Sequence, residues 1–375
     1  MVHSESLRFW LLLREVRGVG DATFCRLVQL LGSPESVLSS SLERLMEVGR
    51  VDAVLARAIR QGPDQSSRES IEKELKKLKQ LRLSVITFQD EIYPPRLKTI
   101  SDPPPLLYIS GLLNRADHQA VAVVGSRKAT ASGRHLTEEL SRDLAHLGVT
   151  VVSGLARGID AAAHRGALTA GGRTVAVVGC GVDRTYPPEH HTLRKQIESN
   201  GAVVGELPLG SFPHGHHFPR RNRIISGMCM GVIVTEATIN RGSLITARLA
   251  ADQGREVFAV PGFVKAETSR GPNGLIKQGA KLVENVDDVL EELLPQLDAE
   301  TRERLVKRAA REATTPGRPD EKEAVVYNLL SWEAVHIDDL IEKTELSAAD
   351  VSSSLLSMEL KGLLRRLPGH FYIRL

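Results

Sequence analysis

The stretch FPRRNR, residues 218–223, sets Arg220, Arg221 and Arg223 around Asn222, directly after Phe218 and Pro219, and an apolar run follows. A guanidinium group is planar and permanently charged, and it can both fork onto a phosphate and lie on a ring. An aromatic side chain beside it offers a face to a base. A cluster of guanidinium groups beside an apolar run suits a phosphate-bearing ligand. Arg221 and Arg223 are two residues apart and cannot share a helix face, so at least one is expected to turn inward. The competing reading is structural: RRNR caps a helix, and its arginines pair with Glu206 or Glu236.

The same residue types recur in GSRKATASG (125–133), SGLARGID (153–160), GCGVDRTYPP (179–188), GELPLGSFPHGHHFPRRNR (205–223), TEATINRGSLITA (235–247) and PGFVKAETSRGPNG (261–274). Arg127, Arg157, Arg184, Arg220, Arg221, Arg223 and Arg241 can all project toward one rim if these stretches lie together. Glycine permits close approach of the backbone, and helix N-termini add unpaired N–H groups with a partial positive charge. A phosphate-rich ligand follows from that combination. A dinucleotide fingerprint is poorly matched, since GCGVDR has Arg184 where the third Gly belongs, and no GxxxxGK[ST] run is present. His190, His191, His214, His216 and His217 lack nearby Cys and carboxylate partners at metal-site spacing, so a solvated loop is the better reading and no metal or cofactor is expected.

What must position these loops is a set of short apolar runs. VAVVG occurs at 121–125 and again at 175–179, and VTVVSG, AVVGE, GVIVTEA and EVFAVPG keep the same rhythm, each ending in Gly or a small polar residue. Stretches of helical length such as GRHLTEELSRDLAHLG and GSLITARLAADQG lie between them. Strands apolar on both faces and separated by helices predict a doubly wound α/β domain with a mostly parallel sheet, over about residues 67–296. In such sheets ligands bind beyond the carboxyl ends of the strands, where the loops just named begin.

Composition bounds the rest. A net charge of +3 is the remainder of 49 basic and 46 acidic side chains, so any polyanion site is local. Cys25, Cys180 and Cys229 are few and far apart, which fits a reducing compartment and a cytoplasmic protein. FWLLL near the N-terminus is too short for a signal-peptide core or a membrane span, so no membrane association is expected.

Two smaller modules flank the α/β domain. Residues 1–66 read as helical, and the GVG turn at 18–20 suggests a sterile-alpha-motif or helix-hairpin-helix unit in which Gly18 and Gly20 could offer N–H groups to a phosphate; a plain packing module or dimer contact is the alternative. Residues 297–320 read as a linker. Residues 321–375 carry three helical patterns and a closing pair of short strands, a winged-helix outline. Its six basic residues face nine acidic ones, a net of −3, and the would-be reading helix SAADVSSSLLSMELK holds one Lys against two acids. Groove binding requires neutralised phosphates, so a protein contact or a regulatory role is expected for this module.

VAVVGSR, VSGLARGIDAAAHRGAL, VAVVGCGVDRTYPPEHHTL, GELPLG…FPRRNRIISG, GSLITA, EVFAVPG and GPNGLIKQGA, in this order, resemble the DNA-processing protein A family, DprA or Smf. The resemblance implies an extended Rossmann-like domain that binds single-stranded DNA, protects it, and loads RecA on it during natural transformation and homologous recombination. It also implies a homodimer and no catalytic reaction. Carried over by motif, Gly125, Ser126, Arg127, Gly154, Arg157, Gly158, Phe218, Arg221, Asn222 and Arg223 form the DNA-binding pocket, and the charge argument above adds Arg220. The chain departs from the family at His190, where an Asn is usual, and at Arg241, where a small hydroxyl residue often stands; both bear on local hydrogen bonding. The alternative is a nucleotide-acting enzyme, since related folds include nucleoside-monophosphate phosphoribohydrolases. The PGGxGTxxE motif of those enzymes is missing, and Glu206 and Glu236 are the only tempting acid–base groups.

Overall fold

The computed structural model describes residues 4–239, 242–299, 301–304, 320–331, 335–344, 346–361, 363–367 and 370–374. Arg241 and most of the expected linker lie outside the described residues. The chain forms two compact units, one running to Asp298 and the other from Ala299.

The first unit is built on a nine-stranded sheet of order β1-β2-β6-β5-β4-β3-β7-β8-β9. Its strands are β1 (Ser84–Thr87), β2 (Leu106–Gly111), β3 (Ala120–Val124), β4 (Thr150–Ser153), β5 (Thr174–Val177), β6 (Gly201–Gly205), β7 (Gly231–Val234), β8 (Glu256–Ala259) and β9 (Lys281–Leu282). From β6 to β9 all neighbours are parallel, and β3 to β7 are buried along their whole length. That burial explains why these strands read as unbroken apolar runs rather than as alternating ones. β1 and β2 add an antiparallel extension, with β2 running against β6.

Strand order reverses beside β3, which pairs with β4 on one side and β7 on the other. The chain leaving β6 must therefore cross β5, β4 and β3 to reach β7, and it does so on the helix His217–Met228. The arginine-rich motif occupies the first two turns of that crossover helix.

Helices from Ser4–Arg14 through Gln65–Gln80 form the N-terminal part. They share a continuous apolar core with the sheet, and Trp10 stacks on Phe24 at 5.4 Å and meets Phe88 edge-on at 5.6 Å. The boundary drawn at residue 66 thus falls inside one packed unit, at the start of Gln65–Gln80. Gly20 precedes the helix Asp21–Leu31, and the Asp21 carboxylate there is bound to Arg220 and Arg223, so this helix start already holds its own anion.

The second unit contains the helices Glu321–Tyr327, Ile337–Lys343 and Ala348–Leu360 and a three-stranded sheet of order β10-β12-β11, with β10 (Val335–His336), β11 (Leu364–Leu367) and β12 (Phe371–Arg374). Val326, Leu330, Leu340, Val351, Leu355 and Met358 are buried in its own core. Helices followed by a strand pair are the winged-helix arrangement that the sequence suggests.

Candidate functional site

Three strand ends meet the start of the crossover helix. Arg127 after β3, Gly154, Ala156 and Arg157 after β4, Val178, Gly179 and Cys180 after β5, Tyr186 and Pro187 further along that loop, and Phe218 line one pocket. Phe218 is its centre. The Tyr186 ring lies 5.6 Å from it, and the guanidinium carbons of Arg127 and Arg221 lie 5.5 and 5.9 Å from its centroid. A Cβ at Gly179 would stand 3.1 Å from the Phe218 ring, so glycine lets the ring settle against the strand end.

The arginines divide by what else they touch. Arg127 is exposed, and among the described residues its side chain has no hydrogen bond or ion pair; its neighbour is the face of Phe218. Arg157 is exposed and pairs with Glu189, a solvent-screened contact that a phosphate can displace at little cost. Arg221 is buried, and donates Nη1 to the carbonyl oxygens of Gly154, at 2.9 Å, and Val177. It ties the ends of β4 and β5 together. Burial pulls its guanidinium down to about 10, against the opposing charge of Asp160. Asp160 is itself buried; burial raises its carboxyl above the usual range while Arg221 opposes the shift.

Two glycines are required here. At Gly154 a Cβ would lie 2.5 Å from Arg221 Nη2 and 2.7 Å from Asp160 Oδ2. At Gly158, with φ of +76°, a Cβ would lie 2.2 Å from the Ser126 carbonyl oxygen. That close packing joins the loop after β3 to the helix Ile159–Thr169, whose first N–H donates to Ser126 O at 3.2 Å. Gly125 packs on Ile159 in the same joint, and Ser126 Oγ accepts from Lys128 N at 3.1 Å.

Arg220 and Arg223, placed among the DNA-binding residues by charge and motif, follow the structural reading instead and pair with Glu206. Three residues apart, they share the opposite helix face. Arg223 is 4 % exposed and contacts Glu206, Asp21 at 3.0 Å and Asp102 at 3.2 Å. Arg220 pairs with Asp21 at 2.8 Å and Glu206 at 3.3 Å. A buried arginine among three carboxylates has no capacity left for phosphate; Arg223 clamps the N-terminal helices to the crossover helix. Asn222 is also buried; its Nδ2 donates to Gly242 O at 3.1 Å and its Oδ1 accepts from Arg221 Nε at 3.3 Å, so it ties the next helix to the arginine at the strand ends.

Both candidate acid–base carboxylates are engaged elsewhere. Glu206 lies in the clamp, where burial raises it above the usual carboxylate range despite Arg223 and Arg220. Glu236 accepts from Thr130 N at 2.9 Å and Thr130 Oγ1 at 2.5 Å, at the start of the helix Ala131–His146. His190 meets the Leu155 carbonyl oxygen at 2.9 Å and so braces the loop after β4. Among the described residues no group of three or more His, Cys, Asp and Glu is arranged to hold a metal ion, and no helix is long and apolar enough to cross a membrane. Tyr186 and Cys180, absent from the sequence-derived set, are pocket residues. The signal for Tyr186 was available: an aromatic in a strand-end loop two residues beyond Arg184.

In the winged-helix unit the single lysine of the reading helix is occupied. Lys361 Nζ contacts both oxygens of buried Glu323 at 2.7 and 2.6 Å, and Ser357 Oγ donates to Glu323 at 2.6 Å.

Residues 84–294 match the DNA recombination-mediator protein A family, and residues 309–370 match the DprA winged helix domain. Protein Smf of Escherichia coli is 39% identical over 311 residues, covering 82% of each chain. The structure of DNA processing protein A from Streptococcus pneumoniae superposes with a TM-score of 0.66 at 34% identity, over 78% of this chain and 98% of that one. DNA processing protein A from Helicobacter pylori, known for its single-stranded DNA binding mode, superposes with a TM-score of 0.52 at 29% identity, over 58% of this chain and 98% of that one. The strand-end glycines, the crossover helix and the winged-helix unit thus sit in matched regions, and the chain belongs to the DNA recombination-mediator protein A family, DprA or Smf.

Proposed function

We propose that the pocket binds single-stranded DNA and that the protein protects incoming strands and loads RecA on them during natural transformation and homologous recombination. The carrying observation is Arg127, exposed and without a carboxylate partner among the described residues, set 5.5 Å from the Phe218 ring with Tyr186 alongside. A free cation beside accessible rings is what a single strand needs. Membership of the family and the strand-binding relative from Helicobacter pylori support the reading. The protein acts in the cytoplasm as a homodimer, whose paired pockets raise effective concentration along one strand, and it catalyses no reaction. A phosphoribohydrolase reading has little to stand on, because Glu206 and Glu236 are both tied up in structural contacts.

The test is a gel-shift competition. Labelled single-stranded oligonucleotide should be displaced by unlabelled single strand at far lower concentration than by duplex or by AMP. Arg127→Ala should weaken binding about tenfold or more, the equivalent of a charge-assisted contact of about 1.5–3 kcal/mol. It should also reduce the slope of log affinity against log salt by about 0.7, one phosphate's worth for a single strand. Equal displacement by AMP, or release of adenine from it, would overturn the proposal in favour of a nucleotide enzyme.

A further inference from the structure

The loop after β5 and the loop after β6 run against each other and are locked together. Gly181 N donates to Ser211 O at 3.0 Å, Gly210 N to Asp183 Oδ1 at 2.8 Å, and Arg184 Nε to Gly210 O at 2.8 Å. The loop after β5 contributes one member to each of two contacts, and the other members come from the loop after β6 and the start of the crossover helix. Tyr186 and Phe218, with ring planes tilted by 42°, are the pair already in the pocket. The other is Arg184 and Phe212, with the guanidinium carbon 3.9 Å from the ring centroid, a closer approach than Arg127 makes to Phe218.

Phe212 is 59 % exposed. One face rests on a guanidinium that Gly210 O holds in place, and much of the rest meets solvent. The contact makes the ring a fixed plate. Arg184 and Tyr186 are two residues apart, so their Cα atoms lie within about 7 Å of each other and tie both ring contacts to one short stretch of loop.

We propose that Phe212, backed by Arg184, is a second stacking platform for a base of the same strand, one nucleotide along from the Phe218 platform. The inference rests on the single-strand reading of the pocket and extends it. The site holds at least two successive bases, and an oligonucleotide is preferred over a mononucleotide because it fills both plates.

The experiment measures binding of oligothymidylate to the full chain by fluorescence anisotropy. Phe212→Ala should weaken it about five- to 150-fold, the range for loss of one stacked base, with an unchanged salt slope because stacking releases no counterions. Placing a single abasic position along the strand should cost the parent protein affinity at two neighbouring sites. Phe212→Ala should lose sensitivity at one of them and Phe218→Ala at the other. Phe212→Trp keeps the plate and reports on it: its added fluorescence, taken against the parent, should be quenched as strand binds. A Phe212→Ala variant that binds like the parent while Arg127→Ala and Phe218→Ala are weakened overturns this inference alone. If all three bind like the parent, the reading of the pocket fails too. Should Phe212→Ala lower the melting temperature, the Phe212→Trp variant decides, and an introduced indole that stays unquenched on a bound strand overturns the platform.

Discussion

The pocket at the strand ends and the reading helix of the winged-helix unit both present basic residues, yet only the first leaves one free. Arg127 lies over Phe218 and makes no ion pair with a carboxylate among the described residues, whereas Lys361 is held by both oxygens of Glu323. The exposed positions of the helix Ala348–Leu360 include Asp350, Ser352, Ser353, Leu356 and Glu359, with two acids and no cation. A count of basic side chains therefore misleads. What marks a polyanion site is a cation that the fold has not already neutralised, placed beside a ring.

The FPRRNR motif repeats the contrast within six residues, and Arg223→Ala is its severest test. Removing one partner of a buried ion cluster leaves the others uncompensated, with a cost of about 3–5 kcal/mol. Thermal or denaturant unfolding should show that loss. Because burial already raises Glu206 above the usual carboxylate range, its ionised form is disfavoured in the fold. Stability from such a group is present at low pH and is lost as pH rises through the raised value. The deficit of the variant should accordingly be smallest in acid and grow toward neutrality. Protein that remains folded should bind strand with the parent salt slope. A reduced slope with unchanged stability would make Arg223 a phosphate ligand and dissolve the distinction from Arg127.

Glu323→Gln probes the other side of the comparison with a smaller effect. Burial pushes the Glu323 carboxyl up, but Lys361 and Ser357 hydrogen bonds outweigh it and hold the group below its usual range. A depressed value means stability that is present above the unfolded pKa and lost as pH falls through the folded one. Replacing the charge should cost the winged-helix unit about 1–3 kcal/mol and remove that acid-side loss, read by the unit's own melting transition. The change also releases the Lys361 charge, so weak binding to duplex DNA should rise at low salt. No change in either quantity would mean that Glu323 does not restrain Lys361 in solution.

Much of the α/β unit was legible because fully buried parallel strands leave unbroken β-branched runs. VAVVG at 121–125 and at 175–179 corresponds to β3 and β5 with little displacement. β1, β2 and β9 were not legible: the first two gain their partners antiparallel at the sheet edge, and β9 is only two residues long. In the site, Arg127, Gly154, Arg157 and Phe218 come together as their loops suggest. Helical spacing implied that Arg221 and Arg223 diverge, but not which one turns to the strand ends. The partners of Arg223, Asp21 and Asp102, lie 202 and 121 residues away in sequence and belong to elements whose packing no local pattern encodes. Tyr186 is legible as an aromatic in a strand-end loop, but its ring partner Phe218 lies 32 residues further on.

The smallest expected effect is the most direct check on the contrast between the two regions. A chain ending at Asp298 keeps the entire first unit, including its continuous core, the pocket and the clamp. It loses residues 299–375, whose 12 basic and 13 acidic side chains nearly cancel and whose reading-helix lysine is neutralised. Each phosphate contact adds about 0.7 to the single-strand salt slope, so a unit that contributes none should leave that slope unaltered. Affinity for a short single strand, one that fills a single pocket, should stay within a few-fold of the full chain, below about 1 kcal/mol. A short strand matters because a long one can engage more than one copy of the protein and mask the comparison. A hundredfold loss together with a lower slope would instead make the winged-helix unit part of the main binding surface, and free cations would have to be sought there.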